Sequence, residues 1–181
     1  MDIINAFNRA YIKFENNTLN VIYILIDIHG TVFPPLKDNK EDFTFYPYAK
    51  EVLKLFTNID YIKIILWTGS SYEVINKMIH IFNENDIIFN FINENPDIIK
   101  SDKTNYLNLP KKFYFSIGID DRFGFNPETD WKRIYEYLIN KGGSYKNHLL
   151  YFYIPAFYYL FTFFNFIFIK HKCFFHKCFI R

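Results

Sequence analysis

Two continuous apolar runs of strand length dominate the pattern of hydrophobic and polar positions along the chain. They read "VIYILID" at 21–27 and "YIKIILW" at 61–67, and both contain several β-branched residues. A run without alternation predicts a strand that is buried on both faces of a parallel sheet. Two further runs, "IIFNFI" at 87–92 and "FYFSIGI" at 113–119, predict a third and a fourth strand.

Helical spacing of apolar residues appears in three other segments. The first begins near Pro47, a residue that suits a first helical turn, and continues to Phe56. The second covers 72–85, and the preceding Ser70 or Ser71 can cap it. The third covers about 129–141 and ends before two glycines, as helices commonly do.

The alternation of strands and helices predicts an α/β fold with a mostly parallel sheet, a Rossmann-like three-layer sandwich. We divide the chain into a polar N-terminal lead-in at 1–20, a main α/β domain at 21–141 and a tail at 142–181. The total of 181 residues suits one domain with some excess.

Charge is distributed unevenly along the chain. Residues 1–136 carry all 19 acidic residues and 15 of the 21 Lys and Arg, a net charge of −4, and the remainder carries +6. A mildly acidic body gives no strong nucleic-acid signal. Both cysteines lie in the tail, and the N-terminus lacks a basic start followed by an apolar core. We therefore expect no disulfide framework in the body, no cleaved signal peptide and a cytoplasmic location.

Polar side chains follow three of the predicted strands at the point where each strand ends. Asp27 ends the first, Thr68 follows the second, and Asp120 and Asp121 follow the fourth. Because the ligand crevice of such sheets lies outside the carboxyl ends of the strands, we expect these residues to meet. Carboxylates brought together repel one another unless a cation neutralises them, and hard oxygen ligands suit Mg²⁺.

These residue types match the needs of phosphoryl transfer. An oxygen nucleophile beside Mg²⁺ can attack a phosphoryl group, whose charged oxygens then need hydrogen-bond donors. The hydroxyl of Thr68 and the amides of the following turn, at Gly69 and Ser70, are such donors. A lysine just before the fourth strand, Lys111 or Lys112, adds positive charge. The pattern predicts a metal-assisted site acting on a phosphorylated substrate.

The motifs "DIHGT", "ILWTGSS", a lysine and "GIDD", in this order, resemble the haloacid dehalogenase (HAD) superfamily of phosphohydrolases. The segment "KKFYFSIGIDDRFGFNPETDWKRIYEYL" is similar to the end of a small capless subgroup from bacteria and phages, with Ile-Asp-Asp-Arg as its fourth motif. The likeness covers about 21–140. It implies the following roles: Asp27 as nucleophile and Mg²⁺ ligand, Thr68, Gly69 and Ser70 as phosphate-binding residues, Lys112 as the bridge between nucleophile and phosphate, and Asp120 and Asp121 as further metal ligands.

His29 departs from the superfamily pattern, which usually has a second aspartate there as acid and base. The backbone carbonyl that binds the metal is available from any residue, so His29 still counts among the expected metal ligands. An imidazole, with an unperturbed pKa near 6.5, can take over the acid/base role. The alternative, a loop histidine bonded to backbone, stays open.

Substrate choice in the superfamily comes largely from cap domains, and this chain has little room for one. The gap from Val32 to Tyr46 is too short for a folded cap, and the gap from Thr68 to Lys112 holds one helix, one strand and a loop. We expect no large cap and an open rim, suited to a phosphorylated small molecule or macromolecule. The alternative is a catalytically silent HAD-like module that binds a phosphorylated ligand or a protein.

The tail contains 21 residues without a charge, at 149–169, which is long enough to span a bilayer. A membrane anchor is the first interpretation, and it would make the protein membrane-associated. The basic residues that follow oppose it, because positive charge favours the cytosolic side. The alternative is an extension read past, or out of, the true frame of an AT-rich gene, since such codons yield Phe, Tyr, Ile, Lys and Asn. Both interpretations stay open.

Overall fold

The sheet has four parallel strands in the order β3-β2-β1-β4. In chain order these are β1 (Ile22–Asp27), β2 (Ile62–Trp67), β3 (Phe91–Ile92) and β4 (Ile117–Ile119). The structure, a computed structural model, describes residues 2–36, 42–94, 96 and 113–141. The chain divides into two units, and the first, Met1–Tyr137, contains the whole of this sheet.

Within the described ranges, four α-helices accompany the sheet: α1 (Ile3–Glu15), α2 (Ala49–Thr57), α3 (Tyr72–Glu84) and α4 (130–141). The predicted α/β class is confirmed, and the architecture is consistent with a Rossmann-like three-layer fold. Between β1 and α2, no residue of the described part forms a helix or a strand of the sheet, and the absence of a large cap stays a prediction.

β1 lies in the middle of the sheet, and neighbouring residues along it point to opposite faces. Ile24 and Ile26 are completely buried on one face, while Tyr23 and Leu25, on the other, are only 8% and 3% exposed. Both faces of this strand are therefore covered, as its continuous apolar run predicts. The predicted bounds of β1 and β2 are correct to within one residue.

β3 and β4 are shorter than the apolar runs that predict them. Before β3, the side-chain oxygen of Asn90 accepts the amide of Ile64 at 2.9 Å. Before β4, the hydroxyl of Ser116 accepts the amide of Tyr23 at 3.3 Å. A polar side chain thus takes the place of a strand carbonyl, and the strands begin directly after it, at Phe91 and Ile117, four residues after the starts of the runs at 87 and 113.

Most of the polar lead-in at 1–20 is helix α1, which the sequence analysis did not predict. In the sequence, polar residues separate the apolar positions of this helix. Ile3, Phe7 and Tyr11 nevertheless recur at helical spacing, and all three are buried. The side chain of Asp2 accepts the amide of Ile4 and caps the helix. The ring of Phe7 stacks on Phe56 of α2, 5.9 Å between centroids, so α1 belongs to the core.

The other helices begin close to the predicted residues. α2 starts at Ala49, two residues after Pro47, because Tyr48 occupies the left-handed region with φ of 67°. Ser71 stands at the N-cap of α3, but its side chain makes no capping hydrogen bond. Trp131 and Ile134 of the final helix, α4, are completely buried. Both lie within the span that the sequence predicts for this helix.

Lys111, Lys112 and the tail lie outside the described residues, and so does the proposed anchor segment at 149–169. Among the helices of the described ranges, none combines the length and the apolar character needed to cross a bilayer.

The link between α1 and α4 generates a prediction about stability. Arg133 bonds to Asp2 at 2.6 Å and lowers the pKa of that carboxyl, with the Ile4 amide acting in the same direction. A lowered pKa stabilises the fold above the ordinary value of 3.8, and the contribution is lost as the pH falls through the lowered pKa. Asp2→Asn, which keeps a capping side chain, is expected to lower the melting temperature at neutral pH, and Asp2→Ala to lower it further.

The measurement is thermal unfolding of the three proteins between neutral pH and pH values below 3.8. Asp60→Asn, at an exposed position, is the matched control for loss of one negative charge. If the wild type and Asp2→Asn unfold at the same temperature at every pH, the ion pair contributes nothing to thermal stability.

Candidate metal centre

The three predicted carboxylates come together at the carboxyl edge of the sheet. Asp27, Asp120 and Asp121 each present an oxygen atom, and these atoms lie within 4.8 Å of one another. The sheet register explains why these residues are close. Ile26 of β1 lies opposite Ile119 of β4, and the residues that follow them in the sequence are Asp27 and Asp120. We call these three residues the acidic cluster.

The surroundings of the acidic cluster make the ionised form of Asp27 less favourable than it is in water. Asp27 is half-buried, Asp120 is 6% exposed and Asp121 is exposed. Burial raises the pKa of Asp27, and the negative charges of Asp120 and Asp121 raise it further. Hydrogen bonds from the amide of Ile28 and the hydroxyl of Thr31 lower that pKa but do not offset the increase. A cation bound here would remove this repulsion.

Thr31 connects two members of the acidic cluster. Its hydroxyl donates to Oδ2 of Asp27 at 3.1 Å and accepts the amide of Asp121 at 3.1 Å. A threonine hydroxyl has one proton to donate, so these two bonds fix its orientation. The end of β1 and the residue after β4 are thereby tied through a single side chain that is completely buried.

The turn that carries Thr31 requires glycine at position 30. Gly30 has φ of +85°, a region that other residues rarely adopt, and its amide donates to the carbonyl of Phe33 at 2.7 Å. A Cβ atom at this position would lie 2.8 Å from Oδ2 of Asp121. The glycine therefore permits both the turn and the close approach of the second acidic loop.

Thr68 is held by a residue that sequence reasoning missed. The side-chain amide of Asn93, just after β3, accepts the amide of Thr68 at 2.9 Å and donates to its carbonyl at 2.8 Å. The hydroxyl of Thr68 lies 2.9 Å from that of Ser70. Asn93 stands at the end of the third strand, and that position is the signal that could have identified it.

The remaining predicted site residues are placed as follows. Gly69 is exposed. The amide of Ser70, which the sequence predicts as a phosphate donor, instead donates to the hydroxyl of Thr68 at 3.3 Å. His29 begins a short bridge with Phe33, and its Nε2 atom is buried. Lys112 lies outside the described residues, and its role stays a prediction.

The donor set fits Mg²⁺. Three carboxylates supply hard oxygen ligands, and the residues that the structure describes offer no other group of three metal-ligating side chains. The amide of Arg122 donates to Oδ1 of Asp120 at 2.8 Å, which orients that carboxylate while leaving its other oxygen for a cation. The pKa of Asp27 is raised first by burial and then by the negative charges of Asp120 and Asp121, and a bound cation would oppose both effects.

Comparisons with known proteins support the fold alone. No protein-family model matches the sequence, and no curated protein matches it. Among solved structures, the chain is similar to a conserved protein coded by a locus of Bacteroides thetaiotaomicron, with a TM-score of 0.50 and 25% sequence identity. The alignment covers 67% of this chain and 92% of that protein. It is a distant neighbour that shares the parallel-sheet α/β architecture.

The raised pKa of Asp27 predicts how the metal-free protein responds to pH. A carboxyl whose pKa is raised on folding costs stability as the pH rises from its ordinary value of 3.8 through the raised value. Asp27→Asn removes that charge, so in EDTA its melting temperature is expected to exceed that of the wild type at neutral pH, with the gap closing in acid. Thermal unfolding over a pH series measures this, with Asp60→Asn as the charge control. A variant less stable than the wild type at neutral pH would contradict it.

Gly30→Ala is expected to destabilise the protein, because alanine in the left-handed region costs about 1–2 kcal/mol and its Cβ would displace the Asp121 carboxylate. Gly69→Ala is the matched control, since no atom lies within 4 Å of a Cβ built there. Urea denaturation of both variants measures the free energy of unfolding. Equal values for the two variants would show that the turn does not depend on glycine.

Proposed function

We propose that the protein is a Mg²⁺-dependent phosphate monoester hydrolase of the HAD type that works through an aspartyl-phosphate on Asp27. The observation that carries the proposal is the acidic cluster, whose three carboxylate oxygens lie within 4.8 Å at the end of two neighbouring strands. The substrate is a phosphorylated small molecule or macromolecule that enters an open rim, and a cytoplasmic location is part of the proposal.

The ends of two neighbouring strands, β1 and β2, carry the proposed nucleophile and the proposed phosphate-binding groups. Asp27 ends β1, and the residue opposite it on β2 is Trp67, so Thr68 follows one position beyond. A substrate phosphoryl group between them would meet a carboxylate on one side and the Thr68 hydroxyl and Gly69 amide on the other. Those donors match the charge that develops on the phosphoryl oxygens during transfer.

The reaction proceeds in two displacements. A carboxylate oxygen of Asp27 attacks phosphorus, the bond between phosphorus and the ester oxygen breaks, and the alcohol leaves with a proton from an acid. Water then attacks the same phosphorus, the bond to Asp27 breaks, and inorganic phosphate departs as the carboxylate is restored. Lys112 is proposed to steady the phosphate from the segment before β4.

Asp27, Asp120 and Asp121, with the carbonyl of His29, would hold the ion. Bound Mg²⁺ supplies positive charge that neutralises the acidic cluster and lets an anionic phosphate approach. Asp27 must be ionised to attack, and its burial favours the protonated form. The hydrogen bond from Thr31 acts in the opposite direction and favours the reactive carboxylate.

His29 is proposed as the acid and base. Its Nε2 is buried, so proton exchange with the leaving group runs through Nδ1 or requires the ring to turn outward. The same burial favours a second candidate function, a catalytically silent HAD-like module that binds a phosphorylated ligand or a protein. In that case the acidic cluster would bind the ion without supporting turnover.

The proposal predicts hydrolysis of p-nitrophenyl phosphate by the full chain with Mg²⁺, and none with EDTA. Asp27→Asn is expected to reduce the rate to the EDTA level because the nucleophile is lost, while Asp60→Asn keeps the wild-type rate. Release of p-nitrophenol, followed by absorbance, measures this. Absence of both turnover and Mg²⁺ binding in the wild type would reject the site.

Substitutions of His29 distinguish the two candidate functions in the p-nitrophenyl phosphate assay. If His29 transfers the proton, His29→Ala lowers the rate by about 10²–10⁴-fold, and His29→Asp restores part of it. Mg²⁺ binding by the wild type, detected as a higher melting temperature, without hydrolysis of any tested ester would favour the silent module.

A further inference from the structure

Trp131 is bonded to the same residue that connects the acidic cluster. It lies in the first turn of α4, is completely buried, and donates its indole Nε1–H to the main-chain carbonyl of Thr31 at 2.8 Å. Thr31 therefore bonds to three elements that are far apart in the sequence: Asp27 at the end of β1, Asp121 after β4, and Trp131 on α4.

The carbonyl and the hydroxyl of Thr31 bond to different elements of the structure. The hydroxyl donates to Asp27 and accepts from Asp121, so it links the two acidic residues, whereas the carbonyl faces α4. Within the turn, the Thr31 amide donates to the carbonyl of Ile28 at 3.3 Å, which is a long bond. The shorter, buried bond from Trp131 holds the other side of the residue.

We propose that Trp131 is a positioning residue of the metal centre: through the carbonyl of Thr31 it sets the separation of Asp27 and Asp121, and hence the affinity for Mg²⁺. The metal part of this inference rests on the proposed function. Trp131 also packs on Phe125, with centroids 5.0 Å apart, but packing needs the ring and not its N–H. The N–H is what distinguishes positioning from packing.

The test compares two variants of the full chain that each remove one hydrogen-bond donor from α4. Trp131→Phe removes the bond to Thr31, and Tyr137→Phe removes the bond from the Tyr137 hydroxyl to Asn8, 2.8 Å long and remote from Thr31. The dissociation constant for Mg²⁺ is measured by calorimetry. Trp131→Phe is expected to weaken binding about 10- to 100-fold, as loss of outer partners of metal sites does. Tyr137→Phe is expected to leave it unchanged.

A double-mutant cycle asks whether Trp131 acts through Thr31. Thr31→Val removes the hydroxyl that reaches Asp27 and Asp121 but keeps the carbonyl. If Trp131 works by holding that hydroxyl in place, the effect of Trp131→Phe on Mg²⁺ affinity is much smaller in the Thr31→Val background than in the wild type. Additive effects would overturn the inference.

A spectroscopic readout keeps the proposal testable if Trp131→Phe does not fold. The chain has two tryptophans, so its ¹H–¹⁵N spectrum contains two indole signals, which Trp67→Phe assigns. Addition of Mg²⁺ is expected to shift the Trp131 indole signal in the wild type and not in Thr31→Val. A Trp131 signal that Mg²⁺ leaves in place in the wild type would overturn the inference.

The outcomes also separate this inference from the proposed function. Mg²⁺ binding by the wild type with equal affinity in Trp131→Phe and Tyr137→Phe overturns the positioning role alone. Absence of Mg²⁺ binding in the wild type overturns both.

Discussion

The mutual repulsion of three carboxylates is the constraint on which the site depends. Their oxygens approach within 4.8 Å, and one carboxylate is 6% exposed, so water cannot fully screen the charge. The protein compensates with short-range donors from three sources: the amide of Ile28, the hydroxyl of Thr31 and the amide of Arg122. The pKa of Asp27 stays raised in spite of its donors, first because of burial and then because of the charges of Asp120 and Asp121. A cation at the acidic cluster would offset both effects.

The architecture around the site keeps these donors in place. The turn after β1 closes only because Gly30 adopts positive φ, and it carries Thr31 into the gap between β1 and β4. Trp131 holds the turn from α4, which is itself bonded to α1 through Arg133 and Asp2. A helix at the start of the chain is thus connected, by packing and hydrogen bonds, to the carboxylates at the carboxyl end of β1.

The side of the site that would face a phosphate is built differently. Thr68 is held by the amide group of Asn93, which both donates to and accepts from its backbone. That arrangement uses the Thr68 amide for structure, while the Thr68 hydroxyl bonds to the hydroxyl and the amide of Ser70. The described residues between β1 and α2 form no helix and no strand of the sheet.

The sequence by itself determined the α/β class, the bounds of β1 and β2, and the three carboxylates of the acidic cluster. These follow from local properties: an apolar run reports burial on both faces, and parallel strands put their carboxyl ends on one edge. Only the tertiary structure revealed the helix Ile3–Glu15, the late starts of β3 and β4, and the roles of Asn93 and Trp131. The bond from Trp131 to Thr31 joins residues 100 positions apart, and the clamp on Thr68 joins residues 25 apart. Such contacts depend on how separate elements pack, and no local pattern of apolar and polar residues encodes them.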